Sequence, residues 1–407
     1  MRFGARAGGV SNGVRSGPRR LGNGSTRGRG RGGSIGSLRP GPEPPPEKES
    51  PSGIAFSPPQ PVKKLPFLVL ALLPLGALAS HLLAPGAPAS GPGDGGPRPR
   101  LLSAPGEPPR VLTLEGGTLD LPGTPERVLP ANAGIVELLS VLVPADHVVA
   151  IPEVARDYSL FDEEDPGAAA WHGIEGFTGY HAEVVFALDP DLVLASPWQS
   201  PEATAALRAH GVPVLLLDVP KTWDDALWNL EFLAKLFGVP DRGAALRADL
   251  EERRARLAAS PYFGTGLTAL SYTNFGTGGT TAGAGTTMDV ALGLAGLENA
   301  AAEAGIEGYG SLPSEHLLAI DPDFLVVSAG DGQGDSASLR YLRETPALRS
   351  LRALAAGRIL VLPSALAATT SIRLLDAAET LAGQVETLLE AEGALNAGES
   401  GARPGGS

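Results

Sequence analysis

Two fifteen-residue stretches lying 132 positions apart nearly repeat each other: 182–196 reads AEVVFALDPDLVLAS and 314–328 reads SEHLLAIDPDFLVVS. Six positions are identical, and most of the others exchange one apolar side chain for another. Each stretch begins with helical spacing, stops at a Pro and continues as an apolar run, the pattern of a short helix feeding a buried strand. A chain that carries this unit twice is built from two related α/β halves. The flanking sequence agrees. Residues 127–130, 148–151, 192–195 and 212–217 read as strands, with helices over 133–143, 182–188, 201–210 and 222–237 between them. Thr222 and Asp225 make a capping box for the last of these, and Gly238 with Pro240 ends it. A charged helix comes next over 240–260, with Leu246, Leu250 and Leu257 on one side. The second series has strands at 267–272, 324–328 and 358–362 and helices at 286–295, 314–320, 345–355 and 371–391. Alternation of this kind predicts two Rossmann-like lobes with central parallel sheets, 111–238 and 261–391, joined by one long rigid helix over 239–260.

The rest of the chain has a different character. Residues 1–64 hold 12 Lys/Arg against 3 Asp/Glu, together with 14 Gly and 10 Pro. Such a composition buries too little apolar surface to offset the entropy of ordering, and a disordered basic segment is expected. Lys63-Lys64 then precedes twenty uncharged residues, 65–84, which suit either an export signal or a membrane anchor. Either role places the chain beyond residue 85 outside the cytoplasm. Residues 85–110 read as a Pro/Gly linker and 392–407 as a disordered tail. Beyond residue 64 the chain carries 20 basic against 42 acidic side chains, which argues against a nucleic-acid partner. The absence of cysteine from the 407 residues excludes disulfides, thiolate catalysis, Cys-ligated metal centres and a lipid-bearing Cys.

The order and spacing of several short motifs resemble a known family, the periplasmic substrate-binding proteins of the iron-siderophore, haem and vitamin B12 ABC importers. The matching features are Arg127-Val-Leu-Pro-Ala-Asn132 ahead of Glu137-Leu-Leu, the two Asp-Pro-Asp units, Gly211-Val-Pro-Val-Leu, Ala282-Gly-Ala-Gly-Thr286, Gly296-Leu-Glu-Asn299 and Ser371-Ile-Arg373-Leu-Leu. They span about residues 127–390. The resemblance implies the helix-bridged, class III two-lobed fold, a monomer that binds a metal chelate (ferric siderophore, haem or cobalamin) between its lobes, and delivery to a permease dimer with its ATPase subunits. It implies that Glu183 and Glu315, at equivalent places in the two lobes, meet arginines of the permease. From the residues alone, a Glu in the first turn of a helix equally well complements the helix macrodipole. The long basic leader and the missing lipid-bearing Cys depart from the family pattern.

Ligands of open α/β sheets bind at the carboxyl ends of strands. That rule selects Asn132, the Arg156-Asp-Tyr158 loop and Trp198 from the first lobe and Tyr272, Asn274 and Phe275 from the second. Trp171 and Tyr180 come from the aromatic, Gly-rich stretch 171–181, and Arg373 matches a family position near the cleft. Flat rings facing one another suit a large flat chelate. Trp223 and Trp228 fall on an amphipathic helix and are expected in the core. His172 and His181, nine residues apart in a loop, do not have ligand spacing, and no resident metal or cofactor is expected. As a haem ligand, His172, His181 or Tyr158 remains open on sequence grounds. No Ser-His-Asp or paired-carboxylate constellation suggests an enzyme. The competing readings are an exported α/β enzyme that uses the glycine-rich loop 276–285 for a nucleotide or sugar-phosphate, and a ligand sensor of the same fold. The loop lacks G-x-G-x-x-G spacing and no Gly-Lys-Ser/Thr comes after it.

Overall fold

The computed structural model describes residues 98–158, 168–274, 276, 278–329 and 336–401. The basic leader, the apolar segment 65–84 and Phe275 lie outside the described residues. Part of the stretch read as linker, from residue 98 on, is folded. Strands β1 (Arg100–Leu101), β2 (Arg110–Leu112) and β3 (Thr118–Asp120) form an antiparallel meander. Val111 and Leu121 anchor it by entering the main core. These strands are two or three residues long between prolines and glycines, too short to show a period.

The first lobe runs through β4 (Val128–Pro130), α1 (Ala133–Leu142), β5 (Ile151–Pro152), α2 (Ala155–Tyr158), α3 (Ala168–His172), β6 (Gly176–Phe177), α4 (Ala182–Leu188), β7 (Leu192–Ala195), α5 (Pro201–Ala209), β8 (Val214–Leu216) and α6 (Trp223–Leu236). Strands β4, β7 and β8 lie side by side and parallel, with Val128 opposite Leu192 and Val193 opposite Val214. The capping box on α6 forms in full, each partner's side chain meeting the other's backbone. Helix α7 (Pro240–Ala258) then leads to the second lobe.

The second lobe comprises β9 (Thr268–Ser271), β10 (Thr273–Asn274), β11 (Gly279–Ala282), α8 (Thr287–Leu294), β12 (Glu298–Asn299), α9 (Ala300–Glu303), β13 (Tyr309–Ser311), α10 (Ser314–Ile320), β14 (Phe324–Ser328), α11 (Ala337–Glu344), α12 (Arg352–Ala355), β15 (Ile359–Leu362), α13 (Ser364–Ala368) and α14 (Leu374–Gly401). Its main sheet has the order β12-β9-β14-β15, parallel throughout, and β10-β11-β13 form a small antiparallel sheet beside it. Three elements differ from expectation, the first being the strand read over 148–151, which is only an isolated bridge from Val148 to Val128 followed by the two-residue β5. The helix expected over 345–355 is divided into a 3-10 turn, Pro346–Ser350, and α12, because Leu351 between them is extended at ψ 130°. Helix α14 continues into the stretch read as a tail, as far as Gly401. A two-pronged contact from Arg358 to Glu392, at 2.7 and 2.6 Å, ties that end to the start of β15.

Successive residues of a strand buried on both sides point to opposite faces, and here the two faces join different cores. In β7, Leu192 and Leu194 enter one apolar cluster while Val193 and Ala195 enter another. In β14, Phe324 and Val326 are separated from Leu325 and Val327 in the same way. The cluster that holds Leu192 and Leu194 is the one that holds Phe324 and Val326, together with Leu227 and Leu230 of α6 and Leu375 and Leu381 of α14. The two lobes therefore share one continuous core through the inner faces of their sheets, and each keeps a smaller core on its outer face.

Helix α7 buries only Gly243 and Leu250. Its crossing with α6 is tight: a Cβ at Gly243 would lie 2.4 Å from that of Ala234. Charges hold it to α14. Arg253 contacts Asp376 at 2.5 Å and Glu379 at 3.0 and 2.5 Å, and the Ser260 hydroxyl donates to Glu386 at 2.7 Å. Among the described residues no helix is long and apolar enough to cross a membrane.

Candidate functional site

The repeated unit has a local physical cause. Helices α4 and α10 end on Asp189 and Asp321, which take the left-handed conformation at φ 47° and 45°. They are the only non-glycine residues among those described to do so, and they are 132 positions apart. Asp visits this region more readily than most side chains, and the Pro after it prevents the helix from continuing. The second Asp of each unit ties the start of the strand it leads into to the start of the neighbouring strand. Asp191 accepts the backbone N–H of Glu126 at 2.8 Å, and Asp323 accepts the N–H and hydroxyl of Thr268, each at 3.0 Å. At the other end of each helix, Glu183 and Glu315 stand exposed in the first turn. Neither N-cap residue, His181 or Pro313, caps its helix through a side chain, so one carboxylate faces an uncapped helix start in each lobe.

The residues expected at the cleft fall into three groups. Asn132 is buried in a polar knot that joins the ends of β4 and β7. Its Oδ1 accepts from the N–H of Ile135 and caps α1, worth about 1 kcal/mol, while Nδ2 donates to Ser196 Oγ and Gln199 Oε1. Gln199 in turn donates to the Ala131 carbonyl at 2.6 Å. Trp198 is carried between Ser196 and Gln199 and is half-buried, so its loop is fixed at both sides. Tyr158 and Tyr180 are also half-buried. Tyr158 sits at the end of α2, which packs against α13 of the second lobe. The hydroxyl of Tyr180 lies 3.3 Å from that of Thr204, and burial pushes its pKa up.

Two aromatic candidates sit inside the protein instead. Trp171, 5% exposed, belongs to the shared core, and Tyr272, 1% exposed, belongs to the outer core of the second lobe. The Tyr272 hydroxyl accepts from Asn274 at 3.0 Å and its ring stacks on Tyr341. A residue at a strand end satisfies the topological rule whichever way its side chain turns, which is why the rule selected both. Of the Trp pair on α6, Trp223 is buried, and Trp228 is half-buried and stacks on Phe232 with ring centroids 4.9 Å apart. Arg373 is half-buried and pairs with Asp376 at 3.0 Å.

Packing requires glycine at two positions of the glycine-rich loop. A Cβ at Gly279 would lie 2.3 Å from the Leu312 carbonyl oxygen, and one at Gly283 would lie 2.0 Å from that of Ile306. Four consecutive N–H groups from Ala282 to Gly285 already donate to Ser271, Gly308, Ile306 and Asp289. A phosphate cradle needs such groups unclaimed. The N–H groups of 282–285 are therefore not free to cradle a phosphate. Among the described residues no group of three or more His, Asp or Glu is placed to hold a metal ion.

Arg156, at the start of the loop that the strand-end rule selects, serves the fold, and Glu137 enters the sequence reading only as part of a motif, with no role. Arg156 donates to Glu153 and to the carbonyls of His172 and Ile174, which fixes the path of the loop after α3. Glu137 is 2% exposed on α1. Burial pushes its pKa up to about 7, against the lowering effects of the Ser371 and Thr369 hydroxyls and of Arg373. A lone acid inside an apolar helix was the available signal for it.

Known proteins share this arrangement. The chain is 26% identical to a solved periplasmic haem-binding protein, RhuT from Roseiflexus sp. RS-1, with a TM-score of 0.53 over 64% of this chain and 98% of that one. A solved ABC-type Fe3+-hydroxamate transport system protein from Saccharomonospora viridis is 25% identical, with a TM-score of 0.56 over 68% of this chain and 99% of that one. A cobalamin-binding protein of Halobacterium salinarum is 27% identical over 180 residues, 44% of this chain. The match spans about half the length of that relative, 48%. The family model for periplasmic binding proteins matches residues 130–366, more than half of the sequence. With two α/β lobes, parallel sheets and a single long connecting helix, the chain belongs to the periplasmic binding protein family, in its class III form.

Proposed function

We propose that this protein is the substrate-binding component of an ABC importer, capturing an iron complex (siderophore or haem) or a cobalamin outside the cytoplasmic membrane and delivering it to a permease dimer with its ATPase subunits. Family membership implies the extracytoplasmic location, and the named ligands of the relatives are haem, an Fe3+-hydroxamate and cobalamin. The observation that carries the delivery step is the pair Glu183 and Glu315. Both are exposed, both lie in the first turn of equivalent helices, and a shared core fixes the lobes that bear them. Two exposed ion pairs at a set separation add little affinity individually, about 0–1 kcal/mol each, but they set orientation and aid encounter. On this reading the protein binds without catalysing, as a monomer, and the uncharged stretch 65–84 either directs export or anchors it. Trp198, Tyr158, Tyr180 and Arg373 are the contacts proposed for the chelate.

Fluorescence titration with haemin, a ferric hydroxamate and cyanocobalamin tests the reading, with ATP as control. Saturable quenching by one of the chelates and none by ATP is expected. Saturable ATP binding without response to any chelate would sink the proposal.

A further inference from the structure

Two stretches of sequence that resemble the family, around Glu137 and around Ser371, meet across the lobe boundary. Glu137 lies on α1 of the first lobe. Its Oε2 accepts the hydroxyl of Thr369 at 2.7 Å and that of Ser371 at 2.6 Å. These hydroxyls stand 232 and 234 positions later, on the segment that leads from α13 to α14 in the second lobe. That segment is braced in turn, since the Arg373 N–H donates to Ser371 Oγ at 3.1 Å. One helical turn before Glu137, Gly134 presents the same face of α1, and a Cβ there would lie 2.0 Å from Thr370 Oγ1. Residues 369–371 therefore lie closely along α1, with a glycine admitting the backbone and a carboxyl holding it.

The carboxyl is an expensive choice for such a place. A buried acid carries a desolvation cost that an apolar side chain of the same volume would avoid. Its Oε1 finds no hydrogen-bond partner among the described residues. Apolar surfaces permit sliding, whereas two hydrogen bonds to one oxygen fix distance and direction.

We propose that Glu137 is a positioning residue, a pin across the lobe boundary that sets the angle between the lobes and hence the separation of Glu183 from Glu315. It acts beside α7 as a second connection, and it operates whichever ligand occupies the cleft.

The natural absence of cysteine allows a clean test in the full chain without ligand. Cysteines placed at exposed Glu202 and Arg349, one per lobe, carry spin labels, and electron–electron dipolar spectroscopy reads the distance between them. The parent gives one narrow distribution. Glu137→Ala, which removes the pin, and Gly134→Ala, which wedges Thr370 away, are each expected to shift the distribution or broaden it to about twice its width. Glu137→Gln restores the narrow distribution, because its amide oxygen accepts the same two hydroxyls. If Glu137→Ala melts earlier with an unchanged distance distribution, the side chain only fills the core and the proposal falls. It falls equally if Glu137→Gln broadens as Ala does. Should Glu137→Ala fail to fold, the pair Thr369→Val and Ser371→Ala decides the matter: broadening supports the pin and an unchanged distribution overturns it.

Discussion

The two Asp-Pro-Asp units share a backbone and differ in how that backbone is held. Both begin with an Asp in the left-handed region and both use the second Asp to tie the strand it leads into to the neighbouring strand. In the first lobe, Arg127 reaches the turn from the strand side and donates to the carbonyls of Leu188 and Asp189, each at 2.9 Å. In the second, Arg352 comes from the far side of β14 and grips the Asp321 and Asp323 carboxylates, each at 2.9 Å, together with the Asp321 carbonyl. One arginine precedes its turn in sequence and the other comes after it. The turn geometry is what the two lobes have in common, and each lobe supports it with whatever cation its own neighbours supply.

The largest expected effect tests whether the lobes are equivalent where they would meet a partner. Changing Glu183 and Glu315 together to Arg should abolish chelate uptake in cells, while folding and chelate affinity of the purified protein stay near the parent's. Either single change to Ala should reduce uptake. Equal single effects would keep the comparison intact, and an effect confined to one lobe would break it. If Glu183→Ala instead lowers the melting temperature by several degrees with uptake per folded molecule unchanged, the glutamates serve only their own helices.

Next in size is a pH effect at the place where the lobes contribute unlike groups, a carboxyl from the first and two hydroxyls from the second. Burial is the main cause that raises the Glu137 pKa from 4.5 to about 7, with Asp376 adding to it and Arg373 opposing it. A raised folded-state pKa means that the native protein holds its proton more tightly than the unfolded chain. This stabilisation is fully present below pH 4.5 and is lost as pH rises towards 7. The full difference is on the order of 3 kcal/mol. Glu115, Asp225 and Glu392 have lowered pKa values and act in the opposite sense at lower pH. Denaturant midpoints measured from pH 5 to pH 8 should fall with pH, and Glu137→Gln should flatten that slope. An unchanged slope in the Gln variant would show that the acid is not the titrating group.

A smaller effect separates the two turns themselves. Asp189→Ala should cost about 1 kcal/mol, from forcing Ala into the left-handed region. Asp321→Ala should cost about 1–2 kcal/mol, because its carboxylate also accepts the backbone N–H of Arg352 at 2.8 Å. Gly at either position restores the turn and should recover most of the loss at 189 but less at 321. Chemical denaturation of the four variants measures this, and equal losses would show that the Arg352 contacts contribute nothing.

Much of this architecture was legible in the sequence because it rests on local causes. The capping box at Thr222, the apolar runs at 192–195 and 324–328 and the paired Asp-Pro-Asp turns each announce themselves within a few residues. The meander at 100–120 did not, since its strands are shorter than any detectable period and owe their order to Val111 and Leu121 entering a distant core. The candidate site was harder still. Strand topology locates loops correctly but says nothing of side-chain direction, so Trp198 was selected on the same grounds as the buried Tyr272. Glu137 lay hidden in a motif because its partners are more than 230 positions away.

The smallest expected change concerns movement between the lobes. Extended-strand hinges permit wide closure around a ligand, whereas this pair is joined in three ways that each resist rotation. Helix α7 is one unbroken element, clamped to α14 by Arg253 and, just past its C-terminus, by Ser260. The inner sheet faces share a single apolar core, which any large rotation would have to open. Glu137 adds a directional contact off the axis of α7. Small-angle scattering with and without a saturating chelate should therefore give radii of gyration that agree within error. The Gly134→Ala variant, with its wedge between the lobes, is the one expected to show a difference. A marked contraction of the parent on binding would mean that the shared core divides and that the lobes move as separate bodies.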